Sequence, residues 1–221
     1  MTYVEFLDVY GGRLIDGTIV TIYQFFLATF VAVVVALTFG LMRLSRSPVL
    51  RAVAVAYIEF FRGTSLLVQL FWIFFVLPLF GITLDKFTAG FLAVGLNMGA
   101  YGAELVRGAV LAVPKGQWEA ALALNMAPHN RMRRIILPQA FVIMLPPWGN
   151  LIIEILKGTA LVALIAVADL MFEVRQINIT TFLSAEAFGT AIVIYYVIAR
   201  FFVTPGMRGL ERLMNRRIGK V

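Results

Sequence analysis

The chain contains no cysteine and a single histidine, His129, and charged residues are scarce. The absence of cysteine excludes disulfide bonds and thiolate-ligated metals, and a single histidine argues against a histidine-based metal site. No G-x-x-x-x-G-K-[ST] loop occurs, so the chain cannot hold ATP phosphates in that way. The apolar segments offer no serine nucleophile with a histidine base. We therefore expect no resident cofactor or metal and no enzymatic activity.

Apolar residues are correspondingly abundant, since 61% of the 221 residues are hydrophobic and only 14% are charged. A soluble fold of this composition would have too little polar surface to cover its core. Several apolar runs reach the ~20 residues needed to cross a bilayer. We predict an all-α polytopic membrane protein with five transmembrane helices, spanning about 18–41, 52–80, 89–113, 139–167 and 188–203.

Short polar segments flank and separate these spans. Residues 1–17 are mildly acidic, lack the basic region of a cleaved signal peptide, and suggest an interfacial helix. Residues 209–221 form a basic tail. The second span is interrupted near Thr64, and the fourth is expected to break at Pro146, Pro147 and Gly149. Residues 168–187 are expected to form a loop.

Basic residues collect on one side of the predicted membrane. They lie in the turn after the first span, between the third and fourth spans, and in the tail. Because lysine and arginine concentrate in cytoplasmic loops, this places the N-terminus in the periplasm and the C-terminus in the cytoplasm. The net charge of +7 is therefore a sign of topology, and we do not expect a nucleic-acid partner.

The stretch from Gly116 to Pro138 is the longest predicted cytoplasmic loop. Glu119 to Leu124 favour a helix, and Asn125 stands where that helix would end, since asparagine tolerates the left-handed conformation of a C-terminal cap. A second short helix follows Pro128. Such a corner is typical of a protein docking surface, although an amphipathic helix pair on the membrane surface would have the same composition.

The spacing of this stretch resembles the EAA motif of ABC importer permeases. That motif reads E-A-A, three residues, G, nine residues, I-x-L-P, and the chain matches it except that asparagine replaces the glycine. The resemblance implies that the matching residues dock onto a separate ATPase subunit. They are Glu119, Ala120, Ala121, Asn125, Ile135, Leu137 and Pro138.

Other segments resemble the polar-amino-acid uptake branch of these permeases. They include Ala100–Glu104, Pro114–Gln117, Tyr57–Thr64 with Leu66–Gln69, and Lys157–Leu161. The resemblance covers about residues 18–208 and implies a type I importer transmembrane domain in the bacterial inner membrane. It also implies three partners, namely an ATPase dimer that carries ATP and Mg, an identical or homologous second permease, and a periplasmic solute-binding protein.

Charges within the predicted spans indicate where a polar solute would pass. Ionisable residues there usually face a protein interior or a cavity. Glu154 and Lys157 are three residues apart and share a helix face. They could contact the ammonium and carboxylate of a zwitterion, or form a structural ion pair, and the sequence leaves both readings open.

A second polar stripe lies on the third span, where Asn97, Tyr101 and Glu104 recur at helical spacing. These residues could line a pathway or could bond to neighbouring helices. Thr64, at the interruption of the second span, completes the predicted pathway set. Glu59 and Arg62 on the second span are predicted to form an ion pair.

Two classes of function follow from these patterns. The first is the permease subunit of an ABC importer for a polar amino acid or a similar zwitterion, including a compatible solute such as ectoine. The second is a gradient-driven carrier or channel in which Glu154, Glu104 and Asp169 relay protons. The EAA-like corner favours the first, since a carrier needs no ATPase socket.

Overall fold

The structure is a computed structural model that describes residues 2–217, and all its regular secondary structure in that range is helical. The helices are α1 (Tyr3–Arg43), α2 (Pro48–Gly63), α3 (Leu66–Phe71), α4 (Lys86–Leu111), α5 (Lys115–Ala123), α6 (Pro128–Arg131), α7 (Leu137–Thr159), α8 (Leu170–Thr181), α9 (Ser184–Val197) and α10 (Thr204–Arg217). Short π-helical or 3₁₀ segments extend or join several of them, at Trp72–Val76, Leu77–Phe80, Met132–Ile136, Ala160–Ile165 and Ile198–Val203.

In the described part of the chain, four continuous helical segments are long and apolar enough to cross a bilayer: Tyr3–Arg43, Lys86–Leu111, Pro128–Ile165 and Ser184–Arg216. A fifth crossing results if α2 and the segment Leu66–Phe80 count as one broken span. These two pieces meet at 104°, and the bend falls at Thr64 and Ser65. The interruption predicted in the second span is therefore a sharp corner in the backbone.

The N-terminal segment continues without a break into the helix of the first span, so the two form one helix. Thr2 caps α1 in a capping box with Glu5, and the helix then runs for 41 residues without a break. Phe6 and Leu14 are buried against residues of α8 and α9. Arg13 also forms a 2.7 Å ion pair with Glu173 on α8. Because α8 forms within the predicted loop 168–187, it gives this segment a protein surface to pack on.

Small residues bring α1 and α4 into backbone contact. Ala28, Ala32, Ala36 and Gly40 are buried at four-residue spacing on α1. They face the glycine-rich side of α4, where a Cβ on Gly95 would lie 2.6 Å from Val31 and one on Gly99 would lie 2.5 Å from Val35. Small residues at such spacing are the usual solution for close helix contact in membranes, where packing replaces the hydrophobic effect. The two helices form the centre of the fold.

The fourth span differs from its predicted form. α7 continues through Pro146 and Pro147, which lie inside the helix, and Gly149 does not break it. Prolines are tolerated within membrane helices because neighbouring groups compensate the lost backbone bonds. The irregularity lies later, where the 3₁₀ turn Ala160–Ile165 ends at Ala166 in the left-handed conformation. The break expected at Pro146, Pro147 and Gly149 is therefore absent from α7.

Candidate functional site

The corner between α5 and α6 is built around Asn125. Its φ is +53°, so the predicted left-handed conformation is confirmed. The N–H of Asn125 donates to the carbonyl of Leu122 at 2.8 Å, and that of Met126 to the carbonyl of Ala121 at 3.1 Å. This pair of bonds is a Schellman motif, which satisfies the last carbonyls of α5 and reverses the chain. Asparagine therefore makes the turn at which the family motif has glycine.

Residues of the EAA-like motif point in different directions. Glu119 and Ala120 are exposed, whereas Ala121 is only 3% exposed and faces the interior of its own chain. Leu122 and Leu124, which the motif does not specify, are 59% and 76% exposed. The surface available to a partner is therefore Glu119, Ala120 and these two leucines, and Ala121 supports that surface from beneath.

The second half of the motif anchors the corner to the membrane domain. Ile136 is completely buried in a cluster with Val106, Val110 and Met144, and Ile135 and Leu137 are half-buried beside it. Pro138 is exposed at the start of α7. The side chain of Gln139 donates to that of Gln117 at 3.1 Å, which joins α7 to α5. α5 and α7 are therefore in direct side-chain contact.

A polar cavity of about 410 Å³ lies beside the bend between α2 and α3. Four of the six predicted pathway residues line it, namely Thr64, Asn97, Tyr101 and Glu154. Ser65, Leu66, Met98 and Leu151 complete the wall. The structure therefore brings together residues from α4, α7 and the bend that are far apart in sequence.

Two amides hold the bend against α4. The Gln69 amide donates to the hydroxyl of Thr64 at 2.6 Å and to the carbonyl of Phe61 at 3.0 Å. Asn97 donates to the same Phe61 carbonyl at 2.9 Å and to the Gln69 side-chain oxygen at 3.0 Å. The carbonyls left free where α2 ends are thus satisfied by side chains. Gln69 is not among the site residues predicted from the sequence, although a single amide in an apolar helix indicates a polar contact inside the protein.

Glu154 and Lys157 form a 2.8 Å ion pair, and their side chains are 56% and 62% exposed. Asn150 is also exposed and lies one helical turn before Glu154. Together these residues form a polar stripe on an otherwise apolar helix. Because charged side chains within a span avoid lipid, this stripe must face water or another protein chain. Glu154 lies at the edge of the cavity, so the stripe and the cavity share one opening.

Glu104 lies outside the cavity, near the end of α1. It pairs with Arg43 at the end of α1 and with Arg107 one turn further along α4, and it does not line the cavity. The predicted pair of Glu59 with Arg62 does not form, since the Arg62 guanidinium lies over the ring of Tyr101, 5.4 Å from its centroid. A cation thereby sits beside the cavity wall.

Asp169, the third residue of the proton-relay hypothesis, lies between spans and away from the cavity. It is fully buried and caps α8 by accepting a 2.9 Å bond from the N–H of Phe172. Among the residues that the structure describes, no group bonds to its Oδ2 atom. Burial raises the pKa of this carboxyl to about 7, although the backbone bonds oppose the rise.

Over residues 2–217, no group of three or more acidic, histidine or cysteine side chains is arranged to hold a metal ion. Hydrogen-bonding groups and a charged residue line the cavity, and the corner presents exposed side chains.

Residues 28–216 match the family described as the binding-protein-dependent transport system inner membrane component. The chain belongs to this family. The permease is 43% identical to a probable amino-acid ABC transporter permease of Sinorhizobium fredii, with 94% of this chain and 89% of that protein covered. It is 38% identical to the L-cystine transport system permease of Bacillus subtilis, with 98% and 91% covered. It is 36% identical to the glutamine transport system permease of Escherichia coli, with 91% and 93% covered.

Solved structures have the same fold as the permease. A crystal structure of an amino acid ABC transporter with histidines matches with a TM-score of 0.86 and 37% identity, over 98% of this chain and 99% of that one. An inward-facing structure of the MetNI methionine ABC transporter matches with a TM-score of 0.80 at 18% identity, over 93% and 97% of the two chains. These likenesses confirm the fold of an importer transmembrane subunit, and none of them supports a gradient-driven carrier.

Proposed function

We propose that the permease carries a polar amino acid or a similar zwitterion into the cell by alternating access. A solute-binding protein delivers the solute, and a separate ATPase dimer supplies the energy. This chain provides one half of the pathway and has no catalytic role. The observation that carries the proposal is the cavity that joins Thr64, Asn97, Tyr101 and Glu154, because it opens onto the paired charges of Glu154 and Lys157.

The chemistry of the cavity suits a zwitterion. Glu154 accepts from an ammonium, and Lys157 donates to a carboxylate. Asn97 and Tyr101, both on α4, add neutral polar groups to the cavity lining. Glutamine, cystine and ectoine all satisfy these requirements. The names of the related permeases favour an amino acid, and binding measurements on the solute-binding partner would identify which one.

The proposed role of Glu154 and Lys157 in binding the solute can be tested by measuring uptake. Glu154→Gln and Lys157→Met should each lower uptake into proteoliposomes that contain the whole importer. Loss of one charge-assisted hydrogen bond costs about 1.5–3 kcal/mol, which predicts roughly a 10- to 100-fold lower rate at low substrate concentration. The thermal midpoint should stay constant, because an exposed ion pair contributes little to stability.

The control for this experiment is Asn150→Gln, which alters the same exposed stripe without removing a charge and should retain uptake. Full uptake by both charge variants would reduce Glu154 and Lys157 to a structural pair. Lower thermal stability in step with lower uptake would point the same way.

We further propose that the exposed face of α5 docks onto the ATPase. Glu119→Lys should abolish co-purification with the ATPase and solute-stimulated hydrolysis, because it reverses the charge that this face presents. Folding should be unaffected, since Glu119 is exposed. Asp8→Lys, an equal charge change at the far end of the molecule, should leave both readouts intact. Unchanged stimulation in Glu119→Lys would contradict the docking assignment.

A further inference from the structure

Two pockets lie side by side where α1 ends against the corner, and they share Leu44 and Met132 as a common wall. The smaller, about 210 Å³, holds Arg46 from the α1–α2 turn and Arg131 from α6. The larger, about 380 Å³, holds His129 and Arg133. We refer to them together as the paired pockets. Arginine side chains and apolar side chains line both of them.

These arginines have no acidic partner within the described chain. The ion pairs there involve Arg13, Arg43, Arg107 and Lys157 only. Arg131 instead lies over the ring of Trp118, with its guanidinium carbon 5.8 Å from the centroid. The guanidinium groups of Arg46, Arg131 and Arg133 therefore remain available to an anion, and no acidic residue lines either pocket.

The apolar walls indicate what that anion is attached to. Leu41 lies near the C-terminal end of α1 and Leu137 at the start of α7, and Leu111, at the end of α4, is 60% exposed. Guanidinium groups at the point where spans leave the bilayer lie at the depth of lipid phosphates. A phosphate held by arginine, with hydrocarbon running along leucines, is the complementary ligand. An acidic protein loop would pair with the arginines but would leave the leucines exposed.

We propose that the paired pockets bind one anionic phospholipid, whose phosphate contacts Arg46, Arg131 and Arg133 and whose acyl chains follow Leu41 and Leu137. The ligand touches the end of α1 and the coupling corner at once. It therefore joins the corner to the membrane domain, independently of the transported solute.

The test uses Trp118, which lies in the smaller pocket. Replacing Trp72 and Trp148 by phenylalanine leaves it as the only tryptophan of the chain. In phosphatidylcholine vesicles, Trp118 fluorescence should be quenched preferentially by phosphatidylglycerol brominated near the headgroup, compared with equally brominated phosphatidylcholine. Arg46→Gln and Arg131→Gln should each lower this preference about fivefold, as expected from about 1 kcal/mol per arginine at a charged lipid surface.

The matched control is Arg134→Gln. Arg134 lies beside Arg133 and is exposed but lines neither pocket, so its loss should leave the preference unchanged. Equal quenching by both lipids, or an equal effect of Arg134→Gln, would overturn the proposal in favour of general surface charge. Saturable binding of an acidic protein without lipid preference would assign the pockets to a protein partner and overturn it as well.

Native mass spectrometry of the otherwise unmodified permease provides a second measurement, which does not depend on the Trp148 replacement. One retained phosphatidylglycerol per chain is expected, and it should be lost in the Arg46→Gln, Arg131→Gln double variant. Both readouts are independent of transport. Absence of lipid with intact uptake would therefore refute this inference alone.

Discussion

Asp169 makes stability depend on pH in an unusual direction. The folded chain holds the carboxyl proton up to about pH 7, whereas an unfolded aspartate releases it near 3.8. Between these values only the unfolded state loses protons as pH rises, so the free energy of unfolding falls, by an amount on the order of a few kcal/mol. We predict that the thermal midpoint falls between pH 4 and 7 and that Asp169→Asn removes most of this slope.

Asp85 supplies a control with the opposite sign. It caps α4, and its side-chain and backbone bonds with Thr88 hold the pKa of its carboxyl below the ordinary value. Its contribution to stability is therefore fully present above that ordinary value and is lost only in more acidic solution. Asp85→Asn should shift the whole curve between pH 4 and 7 without changing its slope. Parallel curves for Asp169→Asn and the parent chain would show that Asp169 does not titrate in this range.

Single positions also show how far sequence reasoning reaches. The left-handed backbone at Asn125 was predictable, because it follows from the local geometry of a helix end and from what asparagine tolerates. The burial of Ala121 was not, since it depends on which face of α5 meets the π-helical turn Met132–Ile136. Glu104 is a similar case: the stripe on α4 was visible, but Arg43, its partner from another helix, was not.

Among the helices, the close packing of α1 against α4 depends on glycine residues of α4. We predict that Gly99→Ala lowers the stability of the permease by about 1–3 kcal/mol, the usual cost of inserting a methyl group into a packed interface. The added Cβ would lie 2.5 Å from the Val35 side chain and would force the helices apart. Thermal or denaturant unfolding in detergent measures the loss.

Gly108 on the same helix provides the comparison. Nothing lies within 4 Å of the position its Cβ would take. Gly108→Ala should therefore be neutral or stabilise the helix by up to about 1 kcal/mol, because alanine has the higher helix propensity. Equal destabilisation by the two substitutions would mean that the backbone flexibility of glycine matters more than close packing.

Helix boundaries within the membrane were harder to predict than the number of crossings. Hydropathy predicts which segments can cross the bilayer, because the length of an apolar run is a property of that segment alone. The course of α7 through Pro146 and Pro147 depends on neighbouring helices that support the chain where backbone bonds are lost. The 104° corner at Thr64 likewise requires Asn97 and Gln69, which are brought together only by folding.

At the scale of the whole molecule, the exposed polar stripe on α7, formed by Asn150, Glu154 and Lys157, predicts contact with a second permease chain. We predict that Asn150→Cys cross-links between two permease subunits with a short bis-maleimide, because the charged residues beside it avoid lipid and the proposed pathway lies between two permease chains. The chain has no cysteine of its own, so the product is unambiguous. Denaturing gels of membranes would show either a doubled mass or a conjugate with a homologous permease.

The control is Phe30→Cys on the apolar outer face of α1, where the side chain is 69% exposed. It should give no specific product. Cross-linking from Phe30→Cys but not from Asn150→Cys would place the partner on the outer face of α1. In that case the cavity would not lie between two permease chains, and the proposal of a shared pathway would be wrong.

The unbroken length of α1 has a mechanical consequence. At about 1.5 Å per residue its 41 residues form a rod of about 60 Å, longer than the bilayer core is thick. The glycine and alanine contacts fasten this rod to α4, which ends directly before the coupling corner. A tilt of about 10° around one end would move the other by about 10 Å. If the proposed ATPase docks at the corner, a small rotation there would move the far end of α1 far enough to open a gap as wide as an amino acid.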